Sequence, residues 1–312
     1  MNMGSIRNWL GGTVTEVREH GVGGLDSLWR QPYYKFLHQV DRVRDPGVSI
    51  YDLDWDLLIV LDACRYDLFC EVADDYDFVP STDSIRSLDS MTPAWMERTF
   101  VEERYRDMAE TYYLCGNPFS QKKLDAEDFE ELDEIWKYAW NDEHDTVTPD
   151  TLTDRCINIG REQDTDRLLV HYMQPHWPFV PAMNLTNQGG MELDEFGTYN
   201  KDEVWERLRR GEVSAEDVWE GYRDNLTYAL DSVEVLLENI DAEKVIITSD
   251  HGNAFGEYGV YGHPMHMPLS SLRSVPYVET TATDEGTREP EKMQVSRRSS
   301  DVEGQLRALG YQ

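Results

Sequence analysis

Three short stretches of the chain carry side chains that could hold a metal ion beside a reactive hydroxyl. In Val245-Ile246-Ile247-Thr248-Ser249-Asp250-His251-Gly252 a β-branched run ends in an adjacent carboxylate and imidazole, followed by a turn glycine. In Asp56-Leu57-Leu58-Ile59-Val60-Leu61-Asp62 a second apolar run also closes on an aspartate. Oxygen and nitrogen donors of this kind suit a hard or borderline divalent cation. The third stretch, Asp89-Ser90-Met91-Thr92-Pro93, sets two hydroxyls where proline marks the first turn of a helix. A helix N-terminus carries partial positive charge and free amide donors, so a hydroxyl there loses its proton more easily and an anionic substrate can dock. With a metal alongside, Thr92 or Ser90 becomes a usable nucleophile.

These residues need a scaffold that brings position 62 to position 250. The apolar runs at 56–62, 111–115, 167–173 and 245–249 are short, β-branched or aromatic, and bounded by turn residues, which predicts buried strands of a parallel sheet. A shorter strand is expected at 76–80. Helical spacing predicts helices over about 26–43, 94–100, 124–138, 151–163 and 218–240. Strands alternating with helices give an α/β fold whose crevice lies outside the carboxyl ends of the strands, where Asp62, Asp250 and His251 would meet. No G-x-G-x-x-G follows the first strand and no Walker lysine occurs, which disfavours the two common nucleotide-binding arrangements.

With 312 residues the chain can bury one large core. The division expected is an N-terminal helical extension over 1–49, a catalytic domain over 50–278 with an insertion or lid at 184–211, and a flexible acidic tail over 279–312 ending in a short helix. The net charge is −32, yet 40% of residues are hydrophobic and 11% aromatic, so the acidity does not signal disorder. Acids spread along the chain fit a protein soluble at high salt, as in an extreme halophile. They also repel phosphate backbones and anionic head groups, so nucleic acid is not expected as a partner. The four cysteines lack C-x-x-C spacing and read as reduced. Neither a signal-peptide core nor an apolar run of membrane-spanning length is visible, so the expected location is the cytoplasm.

Leu61-Asp62-Ala63-Cys64-Arg65-Tyr66-Asp67 resembles the first-strand D-x-x-R-x-D of the alkaline phosphatase superfamily, in its sulfatase-like and lipoteichoic-acid-synthase-like branch. Thr248-Ser249-Asp250-His251-Gly252 is similar to that branch's metal-binding S-D-H-G, and His176-Trp177-Pro178-Phe179 to its substrate-facing H-x-P-F/Y loop. Gly256-Glu257-Tyr258-Gly259, Tyr261-Gly262-His263 and Val275-Pro276 resemble the G-E-H-G segment and the V-P strand. The resemblance runs from about residue 50 to 278. It implies a three-layer α/β fold with a central, mostly parallel sheet, and one divalent ion (Mn, Mg, Ca or Zn) on Asp62, Asp250 and His251, with room for a second. Thr92 or Ser90 would be the nucleophile, with the threonine of the glycerol-phosphate transferases the slightly better match. His176, His263 and Arg65 would face the substrate.

The activity implied is metal-dependent hydrolysis or transfer of a phosphate ester, on a small molecule or on a glycan or lipid. No C-x-P-S-R or S-x-P-S-R stands in the nucleophile region, which disfavours the formylglycine chemistry of true sulfatases. Sulfate-ester hydrolysis by an unmodified hydroxyl and a non-catalytic binding protein on the same fold remain the alternatives. Each residue also has a structural account: aspartates that close strands often cap the next helix, and Thr-Pro is ordinary helix punctuation.

Overall fold

The computed structural model describes residues 27–163, 165–186, 204–293 and 304–306. At its centre is a seven-stranded sheet. In chain order the strands are β1 (Leu57–Asp62), β2 (Asp83–Arg86), β3 (Thr111–Cys115), β4 (Glu131–Glu134), β5 (Arg167–Pro175), β6 (Ala242–Ser249) and β9 (Ser274–Ala282), and a separate hairpin pairs β7 (Ala254–Phe255) with β8 (Tyr261–Gly262). The spatial order is β2-β9-β6-β1-β5-β3-β4. Strands β6, β1, β5, β3 and β4 run parallel, and β9 lies antiparallel between β6 and β2.

Central position explains composition. All six residues of β1 are buried because its neighbours β6 and β5 cover both edges and helices cover both faces. Each fully buried Leu or Ile there stabilises the fold by roughly 1.5–3 kcal/mol. Successive residues of β5 point to opposite faces. Tyr172 hydrogen bonds to Thr153 of the helix Pro149–Glu162 at 2.7 Å, whereas His171 meets Trp95 of the helix Thr92–Thr99 edge-on at 5.6 Å. The long helix Ala215–Leu237 packs on β5 and on Pro149–Glu162, and its apolar side (Tyr222, Leu226, Leu230, Val233) is buried as its spacing requires. A three-layer α/β fold results.

Three sequence expectations are corrected. Residues 76–80 form a turn and not a strand, with Val79 N–H donating to Tyr76 O at 3.1 Å. The nearby strand is instead β2, a polar edge strand that pairs only with β9. Residues 124–138 do not form one helix: β4 (Glu131–Glu134) is the opposite edge, and the helix Trp136–Ala139 follows it. The expected tail begins too early at 279, because β9 continues to Ala282 and the chain beyond it is pinned to the helix Pro149–Glu162. Arg161 pairs with Asp284 at 2.6 Å and Arg288 with Asp154 at 2.9 Å. Gln305 donates to Trp136 O at 3.4 Å, and Leu306 is buried.

The N-terminal helix Ser27–Asp41 docks through Leu37 onto Ala254, Val260, Met267 and Leu272. Its Asp41 meets the buried Arg273 at 2.5 Å. Residues 1–26 and most of the expected 184–211 insertion, 187–203, lie outside the described residues. Among the described residues no helix is long and apolar enough to cross a membrane.

Candidate active site

Strand register assembles the site. Leu61 of β1 lies opposite Ser249 of β6 and Tyr172 of β5, so the carboxyl ends of three parallel strands finish side by side. Asp62, the last residue of β1, therefore stands next to Asp250 and His251, which follow β6. After Asp62 the backbone turns through Ala63 at φ 62, in the left-handed region that alanine seldom adopts. That turn aims Ala63 N–H at Asp250 Oδ1, 2.9 Å away. Ser249 Oγ ties the two loops further, donating to Leu61 O at 2.5 Å and accepting from Cys64 N–H at 2.8 Å. Gly252 is required where it stands, because an added Cβ would collide with Ser271 O.

The two aspartates are each held by one oxygen and leave the other bare. Asp62 Oδ2 accepts from Asn117 Nδ2 at 2.7 Å, and Asp250 Oδ1 accepts from the N–H groups of Ala63 and of His251, the latter at 2.8 Å. Asp62 Oδ1, Asp250 Oδ2 and His171 Nε2 are buried without a hydrogen-bond partner. Ligand atoms of Asp62, His171 and Asp250 lie within 4.8 Å of one another. His251 Nδ1–H donates to Gly252 O at 2.8 Å, which leaves the Nε2 lone pair facing the carboxylates, 3.6 Å from Asp62 Oδ1 and 3.6 Å from Asp250 Oδ2. His171 is oriented in the same way, its Nδ1 engaged with the Tyr113 hydroxyl at 2.9 Å.

Buried acceptors converging without donors are costly on their own, and a cation is the species that satisfies them. Two carboxylates and imidazole nitrogens, each oriented by a hydrogen bond on its far side, are a donor set that fits a divalent ion. Burial, and then the charge of Asp250, push the Asp62 carboxyl well above its usual range. Burial lowers His171 to about 4, so its ring is neutral near pH 7 and available as a ligand.

Thr92 opens the helix Thr92–Thr99 with Pro93 behind it, and its Oγ1 lies 3.2 Å from His251 Nε2. Ser90 is placed differently. Its Oγ donates to Pro264 O at 2.7 Å and accepts from Met267 N–H at 2.9 Å, so it fastens one loop to another. His176 and His263 form a pair on the far side of His251. Their Nε2 atoms are 3.0 Å apart, and the His263 ring centroid is 4.9 Å from that of His251. Burial lowers His176 to about 4 and His263 well below its ordinary value, so both rings are neutral at pH 7. Asn225, on the helix Ala215–Leu237, donates to Pro175 O and His176 O and so fixes the loop that presents His176.

Arg65 was expected to face the substrate. Its guanidinium instead donates to Asp67 at 2.8 and 2.5 Å, to Glu257 Oε1 at 2.7 Å and to Asn253 O at 2.9 Å, beneath the rings of Trp219 and Phe255. It clamps the loop after β1 to the segment 253–257. Two residues of the cluster were not anticipated. His171 sits inside an apolar run that signals a strand, and a single histidine within Leu168-Leu169-Val170-His171-Tyr172-Met173 is the one local sign of a further role. Asn117 follows β3 in Gly116-Asn117-Pro118, a pattern that signals a turn and no ligand support.

No protein-family model matches the chain, and no curated protein matches it in sequence. Solved structures do resemble it. Lipooligosaccharide phosphoethanolamine transferase A from Neisseria meningitidis, an integral membrane protein, matches with a TM-score of 0.50 and 12% identity over 90% of this chain, which spans 60% of that protein. The C-terminal periplasmic domain of EptC from Escherichia coli, in complex with Zn, gives a TM-score of 0.47 and 10% identity over 76% of each chain. A protein from Bacteroides thetaiotaomicron described as a sulfatase gives 0.43 and 10% identity, over 82% of this chain and 70% of that one. The chain thus has an alkaline-phosphatase-like α/β fold, shared with that phosphoethanolamine transferase.

Proposed function

We propose that the protein is a metal-dependent enzyme that transfers or hydrolyses phosphate esters through Thr92. The observation that carries this reading is the placement of Thr92 Oγ1, 3.2 Å from His251 Nε2 and beside the bare oxygens of Asp62 and Asp250. Asp62, Asp250 and His251 would hold one divalent ion, with His171 as a further donor. Such an ion supplies Lewis-acid chemistry, lowering the pKa of a nearby hydroxyl and polarising a phosphoryl oxygen.

The chain's own residues do the rest. His251 orients the Thr92 hydroxyl, and the start of the helix Thr92–Thr99 adds amide dipoles that favour an anion in front of it. Thr92 Oγ1 bonds to phosphorus as the bond to the ester oxygen breaks. The proton lost by Thr92 balances the one gained by the departing alcohol. Water or a second alcohol then attacks the phosphothreonine and restores the hydroxyl. His176 Nε2 and His263 Nε2 hold one another, and His263 stands on the wall of the adjoining cavity, where its ring faces the substrate.

The choice of phosphate over sulfate rests on the nucleophile. Cys64 is buried with its Sγ toward Arg65 O, and burial raises its thiol well above the ordinary range, so it offers no reactive group. The deciding experiment incubates the metal-loaded protein with a p-nitrophenyl phosphodiester and analyses quenched digests by mass spectrometry. A phosphoryl adduct on Thr92, absent from Thr92→Ala, is expected. Turnover of the ester by Thr92→Ala at the wild-type rate would overturn the assignment.

A further inference from the structure

Beside His263 lies a cavity of about 510 Å³, walled in part by Met91 and Pro93, the residues on either side of Thr92. The chain has 61 acidic residues against 29 lysines and arginines, yet the wall of this cavity reverses that balance. Arg30, Lys122, Lys123 and Arg209 line it against a single carboxylate, Glu206. The cations come from three separate elements. Arg30 is on the helix Ser27–Asp41, Lys122 and Lys123 end the helix Ser120–Lys123 that follows β3, and Arg209 ends the helix Val204–Arg209. Arg209 pairs with Glu206 at 2.8 Å, Arg30 also acts on Glu206, and Lys123 pairs with Glu97.

In a chain this acidic, cations gathered next to His263 and the residues flanking Thr92 form a cleft that attracts and orients an anion. We propose that the substrate is a phosphodiester whose retained alcohol carries a second phosphate group, which this cavity binds while the scissile phosphoryl group sits at Thr92. The inference rests on the phosphoryl-transfer reading for its chemistry, but its binding component can be measured independently. Lys122, Lys123, Arg30 and Arg209 are then specificity residues. They select the alcohol and take no part in bond making.

Two pairs of probes that differ only in the second phosphate test this. The first is p-nitrophenyl 3-hydroxypropyl phosphate against p-nitrophenyl 3-phosphonooxypropyl phosphate, compared by kcat/KM with the metal-loaded protein. The second is propane-1,3-diol monophosphate against the bisphosphate, compared by calorimetric binding. The doubly phosphorylated member of each pair should be favoured by about tenfold or more, the effect of a charge-assisted contact. In Lys122→Gln/Lys123→Gln the preference should fall below about threefold, with an unchanged Tm showing that the fold survives. Equal treatment of the two members, or a preference that survives the double substitution, overturns the proposal. If neither diester turns over but the bisphosphate still binds preferentially and through the lysines, the cavity assignment stands and the phosphoryl-transfer reading fails. Turnover without preference refutes the cavity assignment alone.

Discussion

Replacing Asp250 by asparagine separates the two roles of that side chain. Oδ1 accepts from the N–H groups of Ala63 and His251 at 2.9 and 2.8 Å, contacts that an amide oxygen retains. Oδ2 has no hydrogen-bond partner and lies 3.6 Å from His251 Nε2 and 3.8 Å from His171 Nε2. An amide nitrogen there donates to imidazole lone pairs and cannot ligate a cation. The substitution also removes the repulsion between Asp62 and Asp250, whose ligand oxygens lie within 4.8 Å. Two full charges at that separation would repel by about 3.5 kcal/mol at an effective dielectric constant near 20. Because burial and the charge of Asp250 already raise the Asp62 carboxyl, proton uptake relieves part of this, and a net gain of about 1–2 kcal/mol is expected for the metal-free variant. That corresponds to a rise in Tm of roughly 2–6 °C for a chain of this size. Wild-type protein stripped with chelator should instead gain about 2.7 kcal/mol when its preferred divalent ion is added at a hundred times Kd. Thermal unfolding of both proteins, with and without Mn²⁺, Mg²⁺, Ca²⁺ or Zn²⁺, gives the readout. A metal-free Asp250→Asn that melts below metal-free wild type, or that still gains stability from the ion, would refute the account of the site.

Three other substitutions probe the neighbouring structure. Ser90→Ala removes the acceptor of Met267 N–H and the donor to Pro264 O, and should cost about 1–3 kcal/mol in chemical denaturation. Turnover by the folded variant should stay within a few-fold of wild type, and its loss would make Ser90 the nucleophile. Arg65→Met strips the guanidinium from Asp67, Glu257 and Asn253 O, and should lower stability by about 2 kcal/mol. A Tm equal to wild type would show that the clamp contributes nothing. Asp89 supplies a pH dependence: burial is the largest influence and pushes its carboxyl up, but the N–H groups of His266 and Ser90, the His266 ring and Arg98 outweigh it and hold the carboxyl below its ordinary value of 3.8. A carboxyl depressed on folding contributes stability that is complete above the unfolded value and fades as the pH falls through the folded one. Wild type should therefore lose its advantage over Asp89→Asn below about pH 4. An advantage as large at pH 3 as at pH 7 would contradict the assignment.

Where a strand sits in the sheet decided whether the sequence revealed it. β1, β3, β5 and β6 are flanked on both edges, so their buried residues form continuous apolar runs that stand out. β2 and β4 close the sheet at its two edges, where exposed residues are tolerated. Asp83-Ser84-Ile85-Arg86 consequently reads as loop, and the acids around Leu132 read as the wet face of a helix. The same rule governs the site. Asp62, Asp250 and His251 are legible because they terminate apolar runs, and Thr92 because proline marks its helix. His171 lies within a run, four residues before the strand ends at Pro175, and nothing local separates a core histidine from a ligand. Asn117 and Arg65 act through partners 55 and 192 residues away, a separation at which no local pattern assigns roles.

The in-register pairing of β6 with β1 joins the beginning of the core to a point near its end. An ion shared by Asp62 and Asp250 would close a loop of nearly the whole domain, acting on the unfolded ensemble as a removable crosslink does. A chain nicked between the two aspartates should therefore remain associated through its sheet and core but melt at a lower temperature once a chelator takes the metal away.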